Sequence, residues 1–476
     1  MLFNSFQFPV FLAIVFCLYW FVFQKNIKGQ NILILVASYV FYGFWDWRFV
    51  GLIFLSSVTD YLIGQGLSKE KRESKRKMLM GISLLVNLGM LCFFKYFNFF
   101  IDSFIDLFSI FGYTMQSRSL EILLPVGISF YTFQTLSYTL DVYRGRIEAT
   151  KDPISFFAFV SFFPQLVAGP IERASNLLPQ FLMSRKFDLE LAKDGLRQMI
   201  LGLAKKLIIA DSCGVIVNEI FGTYTDQSST LLIIGAIFFA IQIYGDFSGY
   251  SDIAIGTAKL FGFRLMDNFK TPYFAVSIAD LWRRWHISLS QWANTYIFIP
   301  LSMRYSKLKA KGVVMSLMVT FTIIGLWHGA NWTFVVFGLW HGLVSAIEYL
   351  TTKKRRTLKK KTHKGMFTFV GWFITMMVWL VGMIIFRAES IGVAFDYMGS
   401  IFSNNLIFEI PRLGILEVGL YAAIFFLCEW IQRNKDHMMQ IENLHIAIRW
   451  SIYIFLMVIS INGLFGGSEE FIYFQF

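Results

Sequence analysis

The chain has 476 residues, 56% of them hydrophobic and 16% charged, and 54 are phenylalanine. A water-facing domain runs nearer a quarter charged, so this much apolar surface excludes a soluble globule and requires lipid as the solvent. The net charge is +12, but the basic residues cluster in short loops. That pattern fits membrane topology and anionic headgroups, and no nucleic-acid-binding motif accompanies it, so nucleic acid is not an expected partner.

Apolar runs long enough to cross a bilayer are read at 8–24, 31–45, 49–67, 78–100, 121–140, 154–169, 196–221, 229–246, 312–328, 331–350, 366–386, 414–432 and 447–465. They predict an all-α polytopic integral membrane protein with 11–13 transmembrane helices, forming one domain over 1–476. The first run lacks a basic flank and a small-residue cleavage site, so it is read as a retained helix rather than a signal peptide. Residues 101–112 are read as an interfacial or re-entrant extension. Cys17, Cys92, Cys213 and Cys428 form no C-x-x-C pair and are read as small core residues.

Loop charges set the orientation. Lys25 and Lys28 follow the first run, and Lys69, Lys71, Arg72, Lys75, Arg76 and Lys77 follow the third. Lys307, Lys309 and Lys311 precede the run ending at His328, and a basic stretch spans Lys353 to Lys364. All belong in the cytoplasm, which leaves the N-terminus extracytoplasmic.

Between 246 and 311 the pattern turns polar. Gly245-Asp-Phe-Ser-Gly-Tyr-Ser-Asp252 interrupts the apolar rhythm, and 253–263 reads as a short helix. Ser277-Ile-Ala-Asp280 has the form of a capping box, which predicts a helix start. Polar backbone at membrane depth must be buried in protein or line a wet cavity. Residues 246–311 are therefore expected to wall a central chamber with oblique or interfacial helices, and the proposed catalytic region runs 246–345.

Two histidines in this region invite a chemical reading, because titratable groups inside lipid are functional candidates by default. His328 lies in Leu326-Trp-His-Gly-Ala-Asn-Trp332. As a neutral imidazole it could take the proton of an attacking hydroxyl, with Gly329 and Ala330 leaving space and Trp327 and Trp332 walling a pocket. The plainer alternative is a hydrogen-bonded core histidine. His286 lies about nine residues beyond the capping box, roughly 13 Å along one helix. Arg283 would share its face and Arg284 would point away. It reads as a group that positions or polarises a carbonyl, with the two arginines binding either a phosphate-rich donor or lipid headgroups. His341 would face away from His328 on a continuous helix and reads as a packing or secondary-site residue. His363, His437 and His445 lie in charged surroundings and read as solvated. No Gly-x-Ser-x-Gly elbow, P-loop or His-Glu-x-x-His occurs, and no metal site is expected.

The ordered motifs resemble the membrane-bound O-acyltransferase (MBOAT) family, and within it the bacterial branch that includes the membrane subunit of alginate O-acetylation. The residues that carry this are Met1-Leu-Phe-Asn-Ser-Phe-Gln-Phe, Ala37-Ser-Tyr-Val-Phe-Tyr42, Leu124-Pro-Val-Gly-Ile-Ser-Phe-Tyr131, Phe163-Pro-Gln-Leu-Val-Ala-Gly-Pro-Ile-Glu-Arg173, Asp246-Phe-Ser-Gly-Tyr-Ser-Asp252, Trp282-Arg-Arg-Trp-His-Ile-Ser-Leu-Ser290 and Leu326-Trp-His-Gly-Ala-Asn-Trp332. The resemblance implies a many-helix fold around a central tunnel in a bacterial cell membrane, with His328 as the catalytic residue and His286 at the second signature position. It also implies an O-acetyltransferase that draws on acetyl-coenzyme A, holds no bound cofactor, and works with a separate extracytoplasmic SGNH-type acetyltransferase on a polysaccharide acceptor. Trp282, Arg283, Arg284, Trp285, Trp327, Asn331, Trp332, Asp246 and Ser248 form the candidate donor- and substrate-binding set. The alternative functions are D-alanyl transfer to teichoic acid from a carrier-protein thioester and, in another class, a proton-coupled transporter or flippase. No internal repeat is evident, which speaks against the last.

Overall fold

The computed structural model describes residues 1–113, 120, 122–361, 363–405, 413–465 and 471–472. Among these there is no strand. In chain order the helices are α1 (Gln7–Cys17), α2 (Ile27–Asp46), α3 (Val50–Lys69), α4 (Glu73–Leu91), α5 (Phe97–Ile110), α6 (Ile128–Tyr143), α7 (Pro153–Ser161), α8 (Ala174–Leu182), α9 (Leu189–Ala204), α10 (Asp211–Gly222), α11 (Ser229–Leu260), α12 (Ile278–Trp282), α13 (Ile287–Ala293), α14 (Ile299–Arg304), α15 (Ala310–His328), α16 (Trp332–Lys361), α17 (Lys364–Arg387), α18 (Ile391–Ser403), α19 (Leu413–Gln432) and α20 (Ile446–Phe465). Seven helical runs among the described residues are long and apolar enough to cross a membrane, and Gln7–Val22 and Ile446–Ile461 are shorter apolar helices. The fold is all-α, and the chain is a multi-pass membrane protein.

Two compact units divide the chain, one of 1–196 with 254–266 and the other of 197–253 with 267–476. In the first, α3 packs on α4 and α6, and α2 packs on α7. Its buried polar groups are tied to one another. The Asp60 carboxylate accepts from Ser83 Oγ at 2.5 Å and Asn87 Nδ2 at 2.8 Å, while Ser56 Oγ donates to Asn87 Oδ1 at 2.7 Å. Phe263 seals the core against Phe162 and Phe181 at 4.7 and 4.6 Å between ring centroids.

Several expected elements are drawn differently. The 154–169 run is helical only to Ser161. Residues 162–172 are irregular and buried, the one place such backbone survives at membrane depth. The 121–140 run starts its helix at Ile128, after Gly127 at φ +76°; residue 121 lies outside the described residues. A π-helical turn, Cys92–Tyr96, joins α5 directly to α4, so most of the predicted extension at 101–112 is a continuation of helix. Cys17, Cys92 and Cys428 are exposed and only Cys213 is buried, because an apolar run in lipid turns as many residues outward as inward. His437, read as solvated, is buried.

The second unit holds the region of interest. Its α15 and α16 form an antiparallel hairpin whose backbones touch. A Cβ on Gly325 would fall 2.1 Å from the Phe334 carbonyl oxygen, and one on Gly338 would fall 2.4 Å from that of Phe321. Small residues at such crossings are how helices gain contact area in lipid. The same device corrects the reading of 245–263. There α11 is one unbroken helix of 32 residues, and Gly249 is a contact point rather than a break. A Cβ there would lie 2.7 Å from the Gly202 carbonyl oxygen.

Candidate active site

His328 is the last residue of α15 and is buried. The helix stops because Gly329 turns to an extended conformation and Asn331 opens the next helix, accepting from Thr333 N at 2.9 Å. The space expected beside Gly329 is filled. A Cβ there would lie 2.1 Å from the Phe334 ring, so the glycine makes room for that ring rather than for substrate. The His328 ring lies among Trp327 (5.1 Å), Phe386 (5.3 Å) and Phe337 (6.0 Å).

His286 is not carried along the capping-box helix. Ser277 does cap it, accepting from Asp280 N at 3.1 Å, but α12 ends at Trp282. His286 itself adopts φ +42°, ψ +55°, left-handed backbone that a non-glycine residue enters only under constraint. The constraint comes from a neighbouring segment. Ile287 N donates to the Asn268 carbonyl oxygen at 2.9 Å, Lys270 N donates to that of Arg284 at 2.9 Å, and Ser288 Oγ donates to Asn268 Oδ1 at 2.8 Å. Asn268 Nδ2 in turn donates to Ser251 Oγ on α11 at 3.1 Å. This break removes the shared face predicted for Arg283 and His286.

The turn brings His286, fully buried, to 6.2 Å from His328 between ring centroids. Trp327 flanks both, 5.5 Å from His286, and Phe247 of α11 meets His286 edge-on at 4.6 Å. Two imidazoles so close can both reach one small reacting group, inside an aromatic enclosure that strengthens any charge interaction with it.

The other candidates divide. Trp285 is buried in the enclosure's outer layer, 4.7 Å from Trp379 and 5.0 Å from Phe269. Asp246 is buried and held by charge: Lys206 Nζ lies 2.9 Å from it and Ile472 N donates to it at 2.7 Å. Ser248, two residues on, is buried, and its hydroxyl has no partner among the described residues. Both arginines turn to Asp280, at 3.4 Å from Arg283 and 3.0 Å from Arg284. Asn331 ties the hairpin loop to the Glu389 carbonyl oxygen at 3.0 Å, and Trp332 is exposed.

Trp282 leads elsewhere. It lines a cavity of about 440 Å³ bounded by α12, α13, α15 and α16. Its α15 wall is Val313, Leu317, Thr320, Phe321 and Ile324, a stripe at helical spacing that ends one turn short of His328. Its other end lies at Glu348 and Thr352, beside Arg355, which pairs with Glu348 at 2.8 Å.

Sequence reasoning missed Asn268, Ser251, Ser288 and Phe247, the residues that hold the His286 turn. The Asp246–Asp252 motif contained Phe247 and Ser251. Nothing in the local pattern marked Asn268, which acts through contacts distant in sequence.

Comparison with known proteins agrees with this region. Residues 150–391 match the family model of the membrane-bound O-acyltransferases. The chain is 36% identical to the probable alginate O-acetylase AlgI of Pseudomonas putida, over 99% of each protein. It is 38% identical to that of Pseudomonas aeruginosa, over 89% of this chain and 79% of the relative. It is 30% identical to the peptidoglycan O-acetyltransferase of Helicobacter pylori, over 92% and 84%. The match covers both histidines and spans the hairpin that carries His328: the chain belongs to the MBOAT family and is a membrane-embedded O-acyltransferase.

Proposed function

We propose that this protein passes an acetyl group from a cytoplasmic donor, acetyl-coenzyme A, across a bacterial cell membrane for modification of an exopolysaccharide or cell-wall polymer. The observation that carries the reading is the 6.2 Å separation of His286 and His328. In the proposed step His328 takes the proton of the acceptor hydroxyl as its oxygen attacks the thioester carbonyl. The C–O bond forms, the C–S bond breaks, and the proton passes to the departing thiolate. His286 orients the acyl group or stabilises the charge that develops on its oxygen. An extracytoplasmic SGNH-type partner would complete delivery to the polymer. The names of the acetyl-transferring relatives support acetyl as the group moved.

The positive-inside reading of the basic loops supports an extracytoplasmic N-terminus and a cytoplasmic start for α15. From Ala310 to His328 the helix rises about 27 Å at 1.5 Å per residue. The cavity along its lower face would then open to the cytoplasm and lead toward the histidines, which is the path a cytoplasmic donor needs. The test is mass spectrometry of surface glycans from cells carrying the wild-type chain or His328→Ala. Acetyl esters should be lost in the variant while its membrane insertion stays normal; wild-type acetylation by an inserted variant overturns the mechanism. Label delivered from a charged carrier protein, and not from acetyl-coenzyme A, overturns the donor.

A further inference from the structure

A second cavity of the second unit is polar where the histidine enclosure is aromatic. It holds about 420 Å³ between the 3-10 turn Tyr224–Asp226, the start of α11 and the end of α18. The side-chain amides of Gln227, Asn404 and Asn405, the hydroxyls of Ser228 and Ser403 and the carboxylate of Asp226 line it. Among the described residues that line it there is no cation. Its walls are tied together. Ser229 Oγ donates to the Asn404 carbonyl oxygen at 2.8 Å, Asn404 Nδ2 donates to that of Gln227 at 2.9 Å, and Gln227 Nε2 donates to Thr223 Oγ1 at 2.7 Å. Beside them the Tyr397 hydroxyl donates to the Leu232 carbonyl oxygen at 2.8 Å, and its ring stacks on Phe221 at 4.5 Å. Asn404 and Gln227 each spend an N–H on this bracing. Gln227 Oε1 and the Asp226 carboxylate remain as acceptors, so the lining asks a guest chiefly for donors.

The helix α18 sets the side of the membrane. Asn331, in the loop that follows His328, donates to the Glu389 carbonyl oxygen at 3.0 Å, two residues before α18 begins. On the positive-inside reading α15 starts in the cytoplasm, so this loop lies toward the outer face. With 13 residues α18 is about 20 Å long, too short to recross a hydrocarbon core about 30 Å thick. Polar loops of this kind belong in water rather than in lipid. On that reading the cavity at the far end of α18 opens to the extracytoplasmic side, about 20 Å from the hairpin loop.

Resting on the polymer-acetylation reading above, we propose that this cavity binds a neutral glycan segment of the acceptor polymer. Sugar hydroxyls donate to the Asp226 carboxylate, whose two oxygens suit a pair of neighbouring hydroxyls, and to Gln227 Oε1. Asn405 and Ser228 supply donors in return. A polyuronate or a phosphate-rich polymer would bring anions to Asp226 with no cation in the lining to receive them, and is disfavoured. The volume is within the range of clefts that enclose small ligands. A polymer of several sugars held here spans the length of α18, which keeps acceptor hydroxyls concentrated near the hairpin loop. Asp226 and Gln227 bind the polymer and take no part in the acyl transfer.

The test measures binding of two tetrasaccharides to the full-length protein in vesicles by equilibrium dialysis, one of β-1,4-linked N-acetylglucosamine and one of mannuronate. The wild type should bind the neutral tetramer at least about tenfold more tightly than the uronate. Asp226→Ala and Gln227→Ala should each weaken the neutral tetramer about fivefold, the loss of one hydrogen bond. Asp226→Lys should bind the uronate at least as well as the neutral tetramer. Asp226 is exposed, so its variants should melt with the wild type. A wild-type preference for the uronate, or a preference unchanged in Asp226→Lys, overturns the proposal. So does displacement of the neutral tetramer by added phospholipid, which would identify a headgroup slot. A wild type that transfers acetyl yet binds neither tetramer overturns this site and leaves the transferase reading standing. A wild type that binds the neutral tetramer with the stated variant pattern and transfers no acetyl supports the site and overturns that reading.

Discussion

Two groups of buried polar side chains, one in each unit, are enclosed in opposite ways. In the first, Asp60 is enclosed by donors that belong to the protein, Ser83 and Asn87, with Ser56 and Thr135 completing the ring around Asn87. In the second, His286, His328 and His341 are enclosed by rings: Phe247, Trp327, Phe337, Phe386, Trp282 and Trp379. A network satisfied by its own members is architecture, because nothing else is needed to complete it. An imidazole set in an aromatic wall can still exchange a proton with a guest beside it. The contrast separates stability from activity, and each variant below falls on one side of it.

The largest effect belongs to the histidine pair. His328→Ala should lower acyl transfer by about a hundred- to ten-thousand-fold, the usual range for a lost general base, with thermal stability nearly unchanged. The double variant with His286→Ala should fall little further, because groups acting on one reacting centre are not additive. Rates of purified protein in vesicles, together with melting curves, test both statements. Multiplicative losses would mean that the two rings act at separate steps.

Asp60→Ala should do the reverse. It strands the Ser83 and Asn87 donors between α3 and α4 and should cost about 2–6 kcal/mol of stability, at about 1–3 per orphaned group. Activity per folded molecule should hold. A folded Asp60→Ala protein with transfer as low as that of His328→Ala would remove the distinction between the units.

Much of this was legible in the chain, and the exceptions have a common cause. Apolar runs marked the helices, since a span needs length and little else. Ser277 marked a true helix start because its cap is local. The end of that helix was invisible. Arg283-Arg-Trp-His286 contains no glycine or proline, and the break is imposed by Asn268 and Lys270, which pair with Ile287 and Arg284 across the fold. The glycines of 245–249 misled for the same reason. In water they suggest a break, but in lipid they mark where another helix backbone arrives. Geometry that depends on partners distant in sequence does not show in a local pattern.

Asn268→Ala addresses that hidden support. It removes the side-chain tether from Ser288 and Ser251 while leaving the backbone bonds to Ile287 and Arg284 possible. His286 should then sample other backbone conformations, and kcat should drop about tenfold, with KM for the donor changing less. This variant sits between the two kinds of site, since a hydrogen-bond network here serves an aromatic-walled histidine. A stability loss with no change in kcat would place Asn268 with Asp60 instead.

The smallest effect is expected at Arg283, and it bears on whether the basic pair belongs to the site at all. Its side chain is 72% exposed and its contact with Asp280 is 3.4 Å, an exposed ion pair of the kind worth well under about 1 kcal/mol. Arg284 is more enclosed, reaching both Asp280 and Thr271 Oγ1 at 3.0 and 3.2 Å, and so helps brace the segment that carries Asn268. Arg283→Ala should change transfer less than about twofold, and Arg284→Ala more, through kcat. If Arg283→Ala instead raised KM for acetyl-coenzyme A severalfold, with the effect fading at high salt, the exposed arginine would be a phosphate contact for the donor. The recognition surface would then extend beyond the aromatic enclosure to the lipid-headgroup level.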